Sequence, residues 1–181
     1  FAPIEKPIAR AALQLPRDAR IILFVAASLG EQRKGFGQLL AAMQAISQDE
    51  RVCLVSVGGQ CPDLEFSSMH RHLGSIGDER LMCLVYSAAD LFVIPSLQDN
   101  LPNTVMEAMA CGTPVVGFDV GGIPDMVRHS QTGLLAKAGD AAALGEAMQR
   151  LMEDETFRCR TAETARRVAL GAYSLVRPTG Q

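Results

Sequence analysis

Tryptophan is absent from this chain of 181 residues and aromatics make up only 5% of it. Ala, Leu, Val and Met must therefore fill its core, a composition suited to helices packed on a sheet. No C-x-x-C pair occurs, and the five cysteines (Cys53, Cys61, Cys83, Cys111, Cys159) are an odd number. That excludes zinc-finger spacing and argues against a disulfide framework. The thiols read as small hydrophobes, which points to a reducing cytosol. No long basic stretch exists and the formal net charge is -3, so nothing recommends a nucleic-acid surface. No apolar run reaches the roughly 18 residues of a membrane span, and no secretory leader is visible. His70 and His72 have no companions at metal-ligand spacing. A G-x-S-x-G nucleophile motif is missing, and Gly58-Gly59-Gln60 does not fit G-x-G-x-x-G, so it reads as a tight strand-to-loop turn.

What is present is an alternation of short apolar runs with helical patterns. Hydrophobic residues are 48% of the chain, enough for one sizeable core in a length typical of about one domain. Strands are predicted over residues 21–25, 52–57, 91–94 and 115–118, with a short extended piece at 72–74 and a last strand at 134–135. Continuous Val/Ile/Leu runs such as Ile21-Ile22-Leu23-Phe24-Val25 are the mark of parallel strands buried on both faces. Between them lie helical patterns. Leu39, Leu40, Met43 and Ile46 share one face. Asp78 and Asp140 stand where N-caps belong for helices over about 78–89 and 140–152. Further helices are expected over about 103–110, 124–127 and 155–169. The fold class is thus α/β, a doubly wound parallel sheet in one domain covering 1–181, with 1–18 as a lead-in and 171–181 as a tail. Phe1-Ala2-Pro3 carries no initiation signal, which suggests a piece of a longer protein. Arg166-Arg167 reads as a solvated helix face.

Ligands of such sheets bind where strands end and helix N-termini begin. In this chain those loops are 28–35, 58–60, 95–103 and 118–123. The most informative stretch runs from Pro95 to Val116. It places Asp99 in a loop after a strand and Glu107 eight residues on, within the next helix. Pro102 has the backbone angle favoured at a helix's first position, so the helix start offers free N–H groups and partial positive charge to an anion. Two acids beside an anion site suit hydroxyl groups better than phosphate. A ligand with hydroxyl-rich rings and a diphosphate, a nucleotide sugar, fits both. A simpler reading has Asp99 capping the helix and Glu107 on its solvated face. Against it, Val105, Met106, Ala108 and Met109 surround Glu107 with apolar groups, a setting costly for an unpaired carboxylate.

The stretch resembles the acid-x7-acid signature of the family-4 retaining glycosyltransferases of the GT-B fold, roughly P-S-x-x-E-x-x-G-x-x-x-x-E-A-x-A-x-G-x-P-V-V. Pro95, Ser96, Glu107, Ala108, Ala110, Gly112, Pro114, Val115 and Val116 match. Asp99 stands where that pattern has Glu, and Pro102 where it has Gly. Arg33-Lys34-Gly35 resembles the family's K-G after the first strand. Gly74 followed by Tyr86-Ser87-Ala88-Ala89-Asp90 resembles its L-G…Y-x-x-A-D, and Gly121-Gly122 with Val127 and Gly133 its G-G…G-x-L run. The resemblance covers about residues 20–155.

It implies a Rossmann-like, C-terminal donor-binding half of a GT-B enzyme. Asp99, Lys34 and Arg33 are then the catalytic candidates, with Asp99 on the donor sugar's hydroxyls. Glu107 takes the ribose hydroxyls, Asn100, Leu101, Pro102, Asn103 and Thr104 lie near the sugar and distal phosphate, and Gly58 and Gly74 lie near the nucleotide. Lys34 supplies a point charge and Arg33 a fork for the leaving diphosphate, and the helix end adds to them. No metal and no cofactor beyond the nucleoside diphosphate sugar is therefore expected. Ser28 occupies the position where the family usually carries an Arg. The resemblance further implies a cytoplasmic protein, at the membrane surface when full length, whose absent N-terminal domain binds the acceptor in polysaccharide or lipopolysaccharide assembly. Little activity is expected of this part alone. A sugar-nucleotide epimerase of related architecture and a non-catalytic nucleotide-sugar module are the alternatives.

Overall fold

A computed structural model describes residues 1–44, 46, 51–61 and 69–176, with side chains through 172. In chain order the elements are α1 (Lys6–Ala12), β1 (Arg20–Ser28), a 3-10 turn (Gln32–Lys34), α2 (Phe36–Gln44), β2 (Val52–Gly59), β3 (Met69–His72), α3 (Glu79–Ala88), β4 (Leu91–Ile94), α4 (Asn103–Ala110), β5 (Val115–Asp119), α5 (Ile123–Met126), β6 (Gly133–Lys137), α6 (Ala141–Glu153) and α7 (Glu155–Val176).

The six strands form one sheet in the order β3-β2-β1-β4-β5-β6, and every pairing is parallel. Strand side chains alternate between the faces, as a period of two demands. Ile21, Leu23, Cys53, Val55, Phe92 and Val115 pack on the layer built from α1, α3, α4 and α7. Ile22, Phe24, Leu54, Leu91, Val93 and Val116 pack on the layer of α2 and α6. Because both faces are covered, β4 is buried along its whole length. The chain runs outward from β1 to β3 and then crosses back to β4. The strand order therefore reverses between β1 and β4, and a crevice opens at their carboxyl ends.

The α/β class, the single parallel sheet and the helix caps follow the pattern of the sequence. The Asp78 carboxylate accepts from the amides of Arg80 and Leu81, and that of Asp140 from the amide of Ala143. Several boundaries differ. β3 lies at Met69–His72 rather than 72–74, because this edge strand is mostly exposed and has no apolar run to mark it. Pro102 precedes α4 as its N-cap instead of opening it, since its ψ of 115° is extended. α7 continues past 169 to Val176, and residues 177–181 of the expected tail lie outside the described residues.

The lead-in contains a helix, α1, that is pinned to the domain. Lys6 Nζ lies 2.6 Å from Asp90 Oδ1 and Arg10 Nη2 lies 2.8 Å from Asp90 Oδ2. The same carboxylate accepts from the Ile21 amide at 2.7 Å. Burial alone raises the Asp90 carboxyl, but Lys6, the Ile21 amide and Arg10 together hold it below the usual carboxylate range. Arg166 is also more than a solvated cation. Its guanidinium donates to the Ala110 carbonyl, where a positive group satisfies the end of α4. Among the described residues no helix is long and apolar enough to cross a membrane.

Candidate donor-binding site

Two loops meet at the reversal point. The turn after β1 is held against the loop after β4 by the Leu97 amide, which donates to the Arg33 carbonyl at 2.8 Å. Gly35 allows this approach. Its φ is +74°, and a Cβ there would stand 1.7 Å from the Pro95 carbonyl oxygen. Lys34 is thereby brought to Asp99, with Nζ 2.7 Å from Oδ2. The lysine side chain is 20% exposed and the aspartate 12%, so the pair is shielded on most sides while remaining open to a ligand. Ser96 Oγ, buried at the end of β4, donates to the same Oδ2 at 3.3 Å. The Asp99 carboxylate thus faces Lys34 and does not cap α4.

The loop that carries Asp99 is braced from behind by the turn after β5. The Gly122 amide donates to the Asp99 carbonyl at 3.1 Å. A Cβ on Gly122 would lie 1.5 Å from the Asn100 carbonyl oxygen, so only glycine permits this contact.

Glu107 sits one turn after Thr104 on the same face of α4. It is partly buried, and Tyr86 Oη donates to its Oε2 at 2.8 Å. Tyr86 is fully buried and meets Phe92 edge-on. Burial, together with the negative charge and bond of Glu107, pushes its phenol far above the ordinary value. The hydroxyl therefore keeps its proton across any working pH.

Two adjoining cavities result. One, of about 220 Å³, is lined by Glu31, Arg33, Lys34, Ser96, Asp99 and Thr104 over a floor of Phe24–Ala27. The other, of about 310 Å³, is lined by Glu107, Thr104, Gly58, Ser75–Gly77, Glu79 and Met82. Val25, Ala26, Ala27 and Thr104 belong to both, so the end of β1 and the start of α4 form a common wall.

The sequence-derived residues distribute plainly over this geometry. Lys34, Arg33, Asp99 and Thr104 meet at the smaller cavity, while Glu107, Gly58 and Thr104 meet at the larger. Gly74 stands behind the larger one, its carbonyl accepting from the Gly58 amide at 2.9 Å. Asn100, Leu101, Pro102 and Asn103 line neither. Leu101 is 65% exposed, and Asn100 turns its carbonyl to Gly122. Arg33 pairs with Glu31 rather than with Asp99. Ser28 donates to Gln60 Oε1 at 3.3 Å, so no cation stands at that position. Tyr86, Ser96 and the Ser75–Gly77 wall were not among the expected site residues. The i, i+3, i+7 spacing of Glu79, Met82 and Tyr86 on α3 is the signal that finds Tyr86. His70 and His72 both turn to the buried Ser56 hydroxyl, at 2.8 and 2.9 Å.

The fold agrees with comparison to known proteins. The family described as glycosyl transferases group 1 matches residues 19–154. The chain belongs to this family. It forms a C-terminal domain of the GT-B kind, and the acid-x7-acid stretch lies inside the match. This glycosyltransferase domain is 34% identical over 173 residues to D-inositol 3-phosphate glycosyltransferase 1 of Catenulispora acidiphila, covering 85% of this chain and 41% of that protein. It is 30% identical over 176 residues to the lipopolysaccharide core biosynthesis glycosyltransferase LpsE of Rhizobium meliloti, covering 91% of this chain and 49% of that one. Among solved structures, Anabaena HepE in complex with UDP and glucose superposes with a TM-score of 0.80 at 21% identity, over 94% of this chain and 48% of that one; this likeness is one of fold. The chain therefore spans two-fifths to half the length of these proteins.

Proposed function

We propose that this glycosyltransferase domain holds a nucleoside diphosphate sugar across the two cavities and serves transfer of its hexosyl group to a hydroxyl acceptor with retained anomeric configuration. The observation that carries the reading is the Lys34–Asp99 pair, separated from Glu107 only by the shared wall at Val25–Ala27 and Thr104. Asp99 takes the sugar hydroxyls and Glu107 the ribose hydroxyls. The diphosphate spans between them, against Lys34 and the amides that open α4.

Glycosyl transfer passes through an oxocarbenium-like state in which the leaving group gains negative charge. A fixed ammonium and helix-end amides stabilise that charge more as it grows, which is how such groups raise a rate. These groups suffice for the departing diphosphate without a divalent metal. Acceptor binding is assigned to the part of the protein that this chain does not include, so the chain by itself transfers little or nothing. Kinship with LpsE supports a role in lipopolysaccharide or polysaccharide assembly, on an acceptor at the cytoplasmic membrane surface.

A thermal-shift panel of UDP, GDP and ADP, their glucose conjugates and the parent nucleosides tests the donor assignment. A ligand at one hundred times its Kd stabilises by about 2.7 kcal/mol. One base is expected to stand out, with its diphosphate and sugar conjugate shifting the melting temperature well beyond its nucleoside. Equal shifts from nucleoside and diphosphate contradict the phosphate site.

A further inference from the structure

We infer that Tyr86 is a positioning residue for the donor's ribose: its hydroxyl holds one oxygen of Glu107 so that the other is presented to the ribose hydroxyls in the larger cavity. The inference rests on the reading of that cavity as the nucleotide half of the donor site.

Three observations carry it. First, the bond is well formed and sheltered. Tyr86 Oη lies 2.8 Å from Glu107 Oε2, on a ring with no solvent exposure. A hydroxyl donating to a carboxylate in such surroundings is stronger and more directional than one in water. Among the described residues no donor engages the other oxygen, Oε1, while Glu107 itself lines the cavity.

Second, the tyrosine is held by two aromatic neighbours and by its own backbone. Its ring meets Phe92 at 89° and Phe1 at 70°. Its backbone carbonyl accepts from Thr113 Oγ1 at 2.7 Å, just before β5. A donor held this firmly constrains the carboxylate it binds, sparing the ligand the cost of ordering it.

Third, α3 serves the cavity twice. Glu79 and Met82 line it directly, and Tyr86 lies on the same helical face one turn further on. The helix that forms the wall thus also aims the carboxylate facing it.

The test is isothermal titration calorimetry of the chain with UDP and GDP and with their 2′,3′-dideoxy counterparts. The unmodified chain is expected to favour the ribose form of one base by about tenfold, a usual yield for hydrogen bonds to a charged group. Tyr86→Phe keeps the ring and removes only the hydroxyl. It is expected to erase most of that preference while leaving dideoxy affinity unchanged, and to have no further effect in a Glu107→Gln background. Equal weakening of ribose and dideoxy forms marks a merely structural tyrosine and overturns the inference, as does an unchanged preference. If neither diphosphate binds the unmodified chain, the donor-site reading itself fails and takes this inference with it.

A second measurement needs no variant. The chain has only two tyrosines, so tyrosine labelled with carbon-13 at Cζ gives two NMR signals. The Tyr86 signal is expected to move with the ribose diphosphate and to stay still with the dideoxy form. Equal movement with both overturns the inference.

Discussion

Lys34 and Asp99 are 65 positions apart in the chain and 2.7 Å apart in the fold, joined because the turn after β1 and the loop after β4 face each other where the sheet reverses. Each neutralises the other. On the proposed function, an incoming diphosphate competes with Asp99 for the ammonium, a sugar hydroxyl in turn satisfies the carboxylate, and the pair divides the donor into an anionic part and an alcoholic part.

Lys34→Ala separates those roles. Losing a charge-assisted contact to phosphate is expected to weaken diphosphate binding by about tenfold or more, while the parent nucleoside binds as before. The remaining diphosphate affinity should also depend less on salt than it does in the unmodified chain. Calorimetry at two ionic strengths checks both.

Asp99→Asn removes the negative charge beside the diphosphate. Affinity for the bare diphosphate is expected to hold or rise, because a repulsion is gone. The added affinity of the sugar conjugate over the diphosphate is expected to fall by roughly tenfold, as a charged acceptor becomes a neutral one. The ratio of the two dissociation constants is the readout.

Gly122→Ala probes the brace behind the acid loop. A Cβ 1.5 Å from the Asn100 carbonyl oxygen must push that loop aside. The expected cost is about 1–3 kcal/mol of stability, or roughly 2–12 °C for a domain of this size. Donor binding is expected to fall along with it, although residue 122 lines neither cavity. Thermal melts and calorimetry on one preparation test the pair of effects.

Asp90 supplies the pH dependence. Its folded-state carboxyl lies below the ordinary value, despite burial, because Lys6, the Ile21 amide and Arg10 favour the ionised form. A lowered folded pKa gives stability that is fully present above the unfolded value, about 3.9, and lost as pH falls through the folded one. Asp90→Asn leaves Arg10 buried without its ion partner and is expected to cost about 3 kcal/mol at pH 7. The gap from the unmodified chain should narrow as pH drops from about 5 toward 3. Denaturant melts across that range follow it.

Much of this molecule is legible in its residues. The buried strands announce themselves because both their faces are apolar, and Asp78 and Asp140 mark helix starts because an orphan amide needs an acceptor nearby. Asp99 and Lys34 stand out because a carboxylate and an ammonium in strand-end loops have few structural uses, and Glu107 because apolar neighbours surround it on α4. What stays hidden depends on distant partners. α1 gains its place from Asp90, about 80 residues away, and nothing in Lys6-Pro7-Ile8-Ala9-Arg10 indicates that. β3 is an edge strand whose histidines turn to Ser56, so its sequence lacks an apolar run. Arg33 looks like a phosphate ligand by position, yet its guanidinium pairs with Glu31 rather than with Asp99. Tyr86 reads as a core aromatic until its hydroxyl is seen on Glu107.

The most direct test of the central claim is a crystal structure of the chain with the nucleoside diphosphate that its thermal panel selects. The expected density places the ribose hydroxyls within hydrogen-bond distance of Glu107 and the distal phosphate within reach of Lys34 Nζ, with the chain of atoms crossing Thr104. A diphosphate bound at the amino ends of the strands, or one seated in the crevice with its phosphates away from Lys34, contradicts the account.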